Sequence, residues 1–408
     1  MKVLLINKFH YLKGGAERVY FNTKEVLESR GHQVVCFSMK DEKNLPCDQE
    51  IYFVDTVNFE NNKHWFKKAM RFIYYKKSAQ NLEQLIKQEK PDIAHLHNVS
   101  HHLTYSILKP LLKHNIPIVQ TLHDYQLLSP NYHLFCRGKI CENTKNGNYY
   151  KCIFHRCVKN SFFKSILGAF ELYFYKYLRV EDKINLFISP SKFLKEKFQE
   201  FGFNSKIEVI PNFLNTQNYK PKYEAGDYIL FAGRLSPEKG LLNLLKAIKQ
   251  LPDINLKIVG DGPLKEELQT YTELENINNV EFTGHQNGQQ FQDTIRNSKF
   301  VVVPSIWYEN YPMTVIEAEA FGKPVLASNI GGLNEQIISR YNGLHFKYHS
   351  VPDLTDKITQ LYNSTDLENY GRNARAEVEK TNSEDQYYQK IISAYNKLIN
   401  KENKIDLG

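Results

Sequence analysis

Glu309 and Glu317 stand eight positions apart in the stretch "PSIWYENYPMTVIEAEAFGKPVLASNIGG" (304–332). Within it, Asn310 can cap a short helix, Pro312 suits an early helical position and Gly322 suits the stop. The first backbone N–H groups of such a helix, near Met313 and Thr314, lack partners inside it, and the helix dipole makes them a seat for a phosphate group. Carboxylates do not bind phosphate, so both glutamates should accept hydrogen bonds from hydroxyls. A phosphate flanked by hydroxyls on two sides describes a nucleotide sugar, with ribose on one side and a hexose on the other. A second segment, "FAGRLSPEKG" (231–240), places Arg234 and Lys239 on one loop. These two cations could neutralise a diphosphate leaving group, so that no metal is required.

Elements that could position these groups are legible as short apolar runs: 2–9, 33–39, 93–98, 116–124 and 185–191, with helical stretches such as Ala16 to Ser29 and Ala79 to Lys90 between most of them. A second series covers 228–235, 256–262, 280–284, 300–305, 324–328 and 343–346. Alternation of this kind predicts α/β architecture with parallel sheets covered by helices. A polar, proline-bearing stretch, 211–227, separates the two series and reads as a linker. The expected domains are therefore 1–210 on the acceptor side, 211–380 on the donor side, and a C-terminal helix in 381–408 that crosses back to the first domain. Ligands of open α/β sheets bind beyond the carboxyl ends of the strands. Gly14, Gly15, His123, Arg234, Gly260 and Glu309 all follow strand ends in this reading.

The motifs "GGAER" (14–18), "TLHD" (121–124), "GRLSPEKG" (233–240), "VGDGP" (259–263), "FTGH" (282–285) and Glu309-x7-Glu317 followed by "EAFGKPV" occur in that order. Together they resemble the retaining glycosyltransferases of family 4, with the GT-B fold of two Rossmann-like, doubly wound domains facing a cleft. The resemblance implies transfer of a sugar from a nucleotide-diphosphate sugar, a UDP- or GDP-sugar, to a hydroxyl. Arg234 and Lys239 would grip the diphosphate, Glu309 would hold hydroxyls of the donor sugar and Glu317 the ribose. Gly15 would let backbone approach the diphosphate and acceptor, His123 would contact the donor sugar near the reacting carbon, and the loops at Gly260 and Gly284 would border the nucleotide. Similarity to bacterial polysaccharide-building members implies a glycan or lipid-linked glycan acceptor. Two other functions use the same residues: a nucleotide-sugar epimerase or hydrolase on the same fold, and a non-catalytic nucleotide-sugar scaffold.

Composition bounds these readings. At 408 residues the chain is long enough for two domains, and 42% hydrophobic with 24% charged residues excludes wholesale disorder. The N-terminal apolar run is too short for a signal peptide and no stretch is long enough for a membrane span, so a cytoplasmic protein is expected. A formal net charge of +8 admits nucleic acid, an anionic membrane or a phosphorylated substrate as partner. Nucleic acid is disfavoured because no recognition motif accompanies the charge. The segment "KHWFKKAMRFIYYKK" (63–77) reads as one amphipathic helix with a basic face, suited to the inner face of the cytoplasmic membrane, and 161–178 adds aromatic surface. Ordinary packing against the first sheet is the alternative for both.

Cys136, Cys141, Cys152 and Cys157 have the spacing C-x4-C-x10-C-x4-C, looser than the C-x2-C knuckle of a strong zinc motif. A structural zinc, with His155 as a substitute ligand, and independent reduced thiols both remain open. His95, His97, His101 and His102 are expected at strand ends and loops rather than on a metal.

Overall fold

The computed structural model describes residues 1–56 and 70–405, with side chains to residue 400. Two compact units share these residues: 1–133, 142–210 and 387–408 form the first, and 134–141 with 211–386 the second.

In the first unit, β1 (Lys2–Ile6), β2 (Gln33–Phe37), β3 (Ile93–Leu96) and β4 (Ile118–Thr121) are parallel. A two-stranded antiparallel pair, β5 (Phe135–Cys136) and β6 (Lys139–Ile140), belongs to the second unit. Strands β7 (Leu186–Ser189) and β8 (Ile207–Val209) complete the first sheet, ordered β2-β1-β3-β4-β7-β8. β8 is too short and too mixed in polarity to stand out in sequence. The buried run Val3, Leu4, Leu5 and Ile6 has no alternation, as expected for a strand covered on both faces.

The second sheet comprises β9 (Tyr228–Ala232), β10 (Asn255–Val259), β11 (Val280–Gly284), β12 (Val301–Val303), β13 (Val325–Ser328) and β14 (Gly343–Phe346), all parallel and ordered β11-β10-β9-β12-β13-β14. Its side chains alternate between two cores. Ile229, Phe231, Val302 and Leu326 enter one with Leu241, Leu244 and Leu245, while Tyr228, Leu230, Val301 and Val325 enter the other with Val315 and Ala318. Strand order reverses between β9 and β12, the place where doubly wound sheets open a crevice for a ligand.

The stretch expected as a linker is stitched into the second unit. Arg375 donates to the carbonyls of Tyr219 (2.8 Å), Ala320 (2.6 Å) and Thr216 (3.1 Å), and Asn382 Nδ2 donates to the Asn212 carbonyl at 2.7 Å. The C-terminal helix (Glu384–Ile405) belongs to the first unit from Tyr387 on and is pinned there by tyrosines: Tyr387 to Thr23 at 2.9 Å, Tyr388 to His32 at 2.9 Å and Tyr395 to His95 at 2.6 Å.

One helix over 63–77 is not what forms. Residues 70–73 are helical, Tyr74 and Tyr75 are not, and a new helix, Lys76–Glu89, follows. The break is fixed where the Tyr75 N–H donates to Thr104 Oγ1 at 3.0 Å and Ser106 Oγ donates to the Tyr75 carbonyl at 2.7 Å. The rest of that segment, through residue 69, lies outside the described residues.

Candidate active site

The loops after β9 and β12, on either side of the order reversal, meet through an ion pair. Lys239 Nζ lies 2.6 Å from Glu309 Oε1, and Ser305 Oγ donates to the same oxygen at 2.5 Å. Burial alone would push the Glu309 carboxyl up, but the Lys239 charge and the hydrogen bonds to the carboxylate outweigh it and hold the group below the ordinary glutamate range. The Arg234 side chain, on the same loop as Lys239, is exposed and its guanidinium has no hydrogen-bond or ion-pair partner among the described residues.

Glycines make this loop arrangement possible. Gly240 has φ +71°, and a Cβ there would come 1.9 Å from the Pro304 carbonyl oxygen. At Gly260 a Cβ would meet the Gly233 carbonyl at 1.8 Å, so this glycine serves close approach of two loops. Gly284 has φ +74° and open space around it, and its carbonyl accepts the Gly260 N–H at 2.8 Å. Two glycines not singled out from sequence, Gly331 and Gly332, back the site: Gly332 N–H donates to the Glu309 carbonyl at 2.7 Å, and a Gly331 Cβ would lie 2.7 Å from the same oxygen. Their signal was the "GG" after β13. Ser305 had no signal beyond ending a strand.

The short helix runs Met313–Ala320 with Pro312, not Asn310, at the cap position. Pro312 has φ −65° and ψ 129°, an extended residue that cannot extend the helix backward because proline disfavours helical geometry in its predecessor. Gly322, at φ +71°, ends it as expected. Met313 and Glu317 are buried and Thr314 half-buried. A third carboxyl, Glu319, accepts from Asn342 Nδ2 at 2.7 Å and is pushed well up by burial and by Glu377.

In the first unit His123 follows β4 and its Nε2 lies 2.9 Å from His97 Nδ1, the rings stacked at 5.2 Å. His95 bonds Tyr395 and Thr121, and its ring lies 4.5 Å from His97. Burial holds all three imidazoles neutral, pushing His95 and His123 down to about 3. His101 pairs with Glu171 at 3.1 Å and stacks on Phe72. Asp124 caps its own turn, accepting the Gln126 N–H at 2.9 Å. Gly15 opens the helix Gly15–Ser29 and is exposed. The sequence marks His97 only as a strand-end residue; its place on His123 depends on the register of β3 against β4.

Of the four cysteines for which zinc and independent thiols were both open, Cys136 and Cys141 belong to the second unit and Cys152 and Cys157 to the first, all as thiols. Cys157 N–H donates to the Cys152 carbonyl at 3.0 Å.

The family described as Glycosyltransferase Family 4 matches residues 13–218, just over half of the chain, and that described as Glycosyl transferases group 1 matches 214–377. The chain belongs to glycosyltransferase family 4. An uncharacterized glycosyltransferase of Methanocaldococcus jannaschii is 35% identical to this family 4 chain over 198 residues, 48% of this chain and 54% of that protein. The lipopolysaccharide 1,2-N-acetylglucosaminetransferase of Salmonella typhimurium is 33% identical over 181 residues, 39% of this chain and 48% of that protein. The chain thus spans about half the length of these two relatives. Anabaena HepE, solved in complex with UDP-glucose, superposes with TM-score 0.70 at 18% identity, over 97% of this chain and 100% of that one. The fold is therefore the expected GT-B type, with two Rossmann-like parallel-sheet domains.

Proposed function

We propose that this protein transfers a sugar from a nucleotide-diphosphate sugar to a hydroxyl, with retention of anomeric configuration. The observation that carries the reading is the Lys239–Glu309 pair at the order reversal of the second sheet, beside the start of the helix Met313–Ala320. In this reading Arg234 and the remaining N–H donors of Lys239 take the diphosphate, with the backbone N–H groups of Met313 and Thr314 adding the helix dipole. The Lys239 and Ser305 bonds both fall on Glu309 Oε1, and the carboxylate is proposed to accept from a hydroxyl of the donor sugar as well. Glu317 is proposed to take the ribose, and the loops at Gly260 and Gly284 to border the base.

In the first unit, Gly15 is proposed to offer backbone to the diphosphate and His123 a hydrogen bond to the donor sugar. The imidazole is neutral, so it cannot serve as a general acid. Among the described residues His97 Nε2 is buried without a hydrogen-bond partner, and an unpaired lone pair there costs less than an unpaired N–H. That assigns the His97 Nδ1 proton to the bond with His123 Nε2 and leaves the His123 proton on Nδ1. During transfer the bond between the anomeric carbon and the diphosphate oxygen breaks through an oxocarbenium-like state. The acceptor oxygen adds on the same face, and its proton passes to the leaving phosphate. Arg234 and Lys239 stabilise the charge that develops there.

A UDP-sugar is the first donor to test, given the UDP-glucose bound by HepE, and a lipid-linked or cell-surface glycan the acceptor class, given the Salmonella relative. No helix among the described residues is long and apolar enough to cross a membrane. Peripheral attachment at the inner face of the cytoplasmic membrane is proposed through the helix Phe162–Tyr177. Phe163 (81% exposed), Ile166, Phe170, Tyr173 and Tyr177 (81%) form one exposed stripe along it, and Lys164 and Lys176 lie on the same helix.

The test is a donor screen by mass spectrometry with UDP-, GDP-, ADP- and dTDP-sugars, using Arg234→Ala and Glu317→Ala as comparisons. One donor bound or slowly hydrolysed by wild type and lost in both variants is the expected result. Binding of none of them would refute the reading.

A further inference from the structure

A cluster away from the sugar chemistry draws on three segments of the first unit. His10 lies in the loop after β1, Cys36 near the carboxyl end of β2 where it pairs with Leu5, and Cys47 just before the 3-10 turn Asp48–Tyr52. The ligand atoms of these three side chains all lie within 4.8 Å of one another. Their convergence is built by the backbone: Leu45 N–H donates to the His10 carbonyl at 2.9 Å, which turns the segment before Cys47 onto the loop. Gln49 Oε1 accepts from the Cys36 N–H at 3.3 Å and from the Cys47 thiol at 3.4 Å.

The imidazole is held as a ligand would be. His10 is 1% exposed, and its ring packs edge-on against Phe21 (5.2 Å), Phe53 (5.5 Å) and Tyr20 (5.8 Å). Its Nδ1 lies 3.0 Å from the buried Tyr20 hydroxyl. With that nitrogen engaged by an oxygen, Nε2 is left to coordinate, the orientation that an outer hydrogen bond imposes on metal-binding histidines.

We propose that His10, Cys36 and Cys47 bind one zinc ion, with Gln49 Oε1 or a water as fourth ligand. Zinc takes sulfur at about 2.3 Å and nitrogen at about 2.0–2.1 Å in a tetrahedron, which sets the donors roughly 3.3–3.8 Å apart, inside the observed limit. Binding releases the thiol protons, and the two thiolates then balance the 2+ charge, so the buried site carries no net charge. Cys36 and His10 are sealed from solvent, while Cys47 is half-buried and gives the ion its entry. The ion would tie the loop that leads into Gly14 and Gly15 to the end of β2. This site shares no residue with the four cysteines between 136 and 157.

The full chain, stripped with a chelator under reducing conditions, is titrated with cobalt(II) and followed by thiolate-to-cobalt absorption. Wild type is expected to take up one equivalent more per chain than Cys47→Ser, and its melting temperature, unlike the variant's, is expected to rise with added zinc. A second measurement needs no variant: iodoacetamide labelling mapped by peptide mass spectrometry should find Cys47 protected when zinc is present. Equal cobalt uptake by both proteins, labelling of Cys47 indifferent to zinc, or a Cys36–Cys47 disulfide recovered under the same reducing conditions would each overturn the proposal.

Discussion

Lys239 and Glu309 are 70 positions apart in sequence and 2.6 Å apart in space, and each sets the other's chemistry. Removing the carboxylate charge by Glu309→Gln keeps the shape but loses the partner that orients Lys239. Donor turnover is expected to fall at least about 100-fold, the scale of a lost preorganised contact, with the circular dichroism spectrum unchanged. The same pair gives a signed pH effect. Because the folded carboxyl titrates below its unfolded range, its stabilisation is present at neutral pH and is lost as pH falls through the folded value. Melting temperatures of wild type and Glu309→Gln, compared from pH 6 down to pH 3, should therefore converge. Glu319 is the opposite case: its raised folded pKa means that the wild type loses stability as pH rises through that value. Glu319→Gln, which can still accept from Asn342, should melt higher than wild type at pH 8 by an amount that shrinks toward pH 5.

At the scale of elements, loops at strand ends carry the site and glycines allow them to pack. Gly240→Ala is expected to cost at least about 2 kcal/mol by urea unfolding, because the positive φ and the Pro304 carbonyl oppose a Cβ together. Tyr395→Phe should destabilise the first unit by about 1–3 kcal/mol by leaving buried His95 Nδ1 unpaired. Apolar runs made both sheets legible apart from β8, and in the second sheet β11 and β14 match their sequence expectation to the residue. What was not legible depended on contacts made elsewhere. The cap at Pro312 was set by backbone geometry, the break at Tyr74 and Tyr75 by Thr104 and Ser106, and the triad of His95, His97 and His123 by strand register. Glu309 and Lys239 could be found because each follows a strand, whereas Ser305 and Gly332 act on Glu309 through a geometry that no local pattern records.

The whole molecule is two units, each with its own parallel sheet and core, and a net charge of +8. That charge, with the exposed aromatic stripe of Phe162–Tyr177, leads to an expected co-sedimentation with phosphatidylglycerol vesicles and not with phosphatidylcholine ones. Phe163→Asp combined with Tyr177→Asp should abolish it while leaving donor hydrolysis intact. The proposed chemistry stands or falls with the donor seat in the second unit. Calorimetric titration of the selected nucleotide sugar into wild type and Lys239→Ala measures it directly. An affinity at least about tenfold weaker in the variant, corresponding to about 1.4 kcal/mol, is expected. Equal affinity in the two proteins would contradict the assignment of Lys239 and Glu309 to the donor.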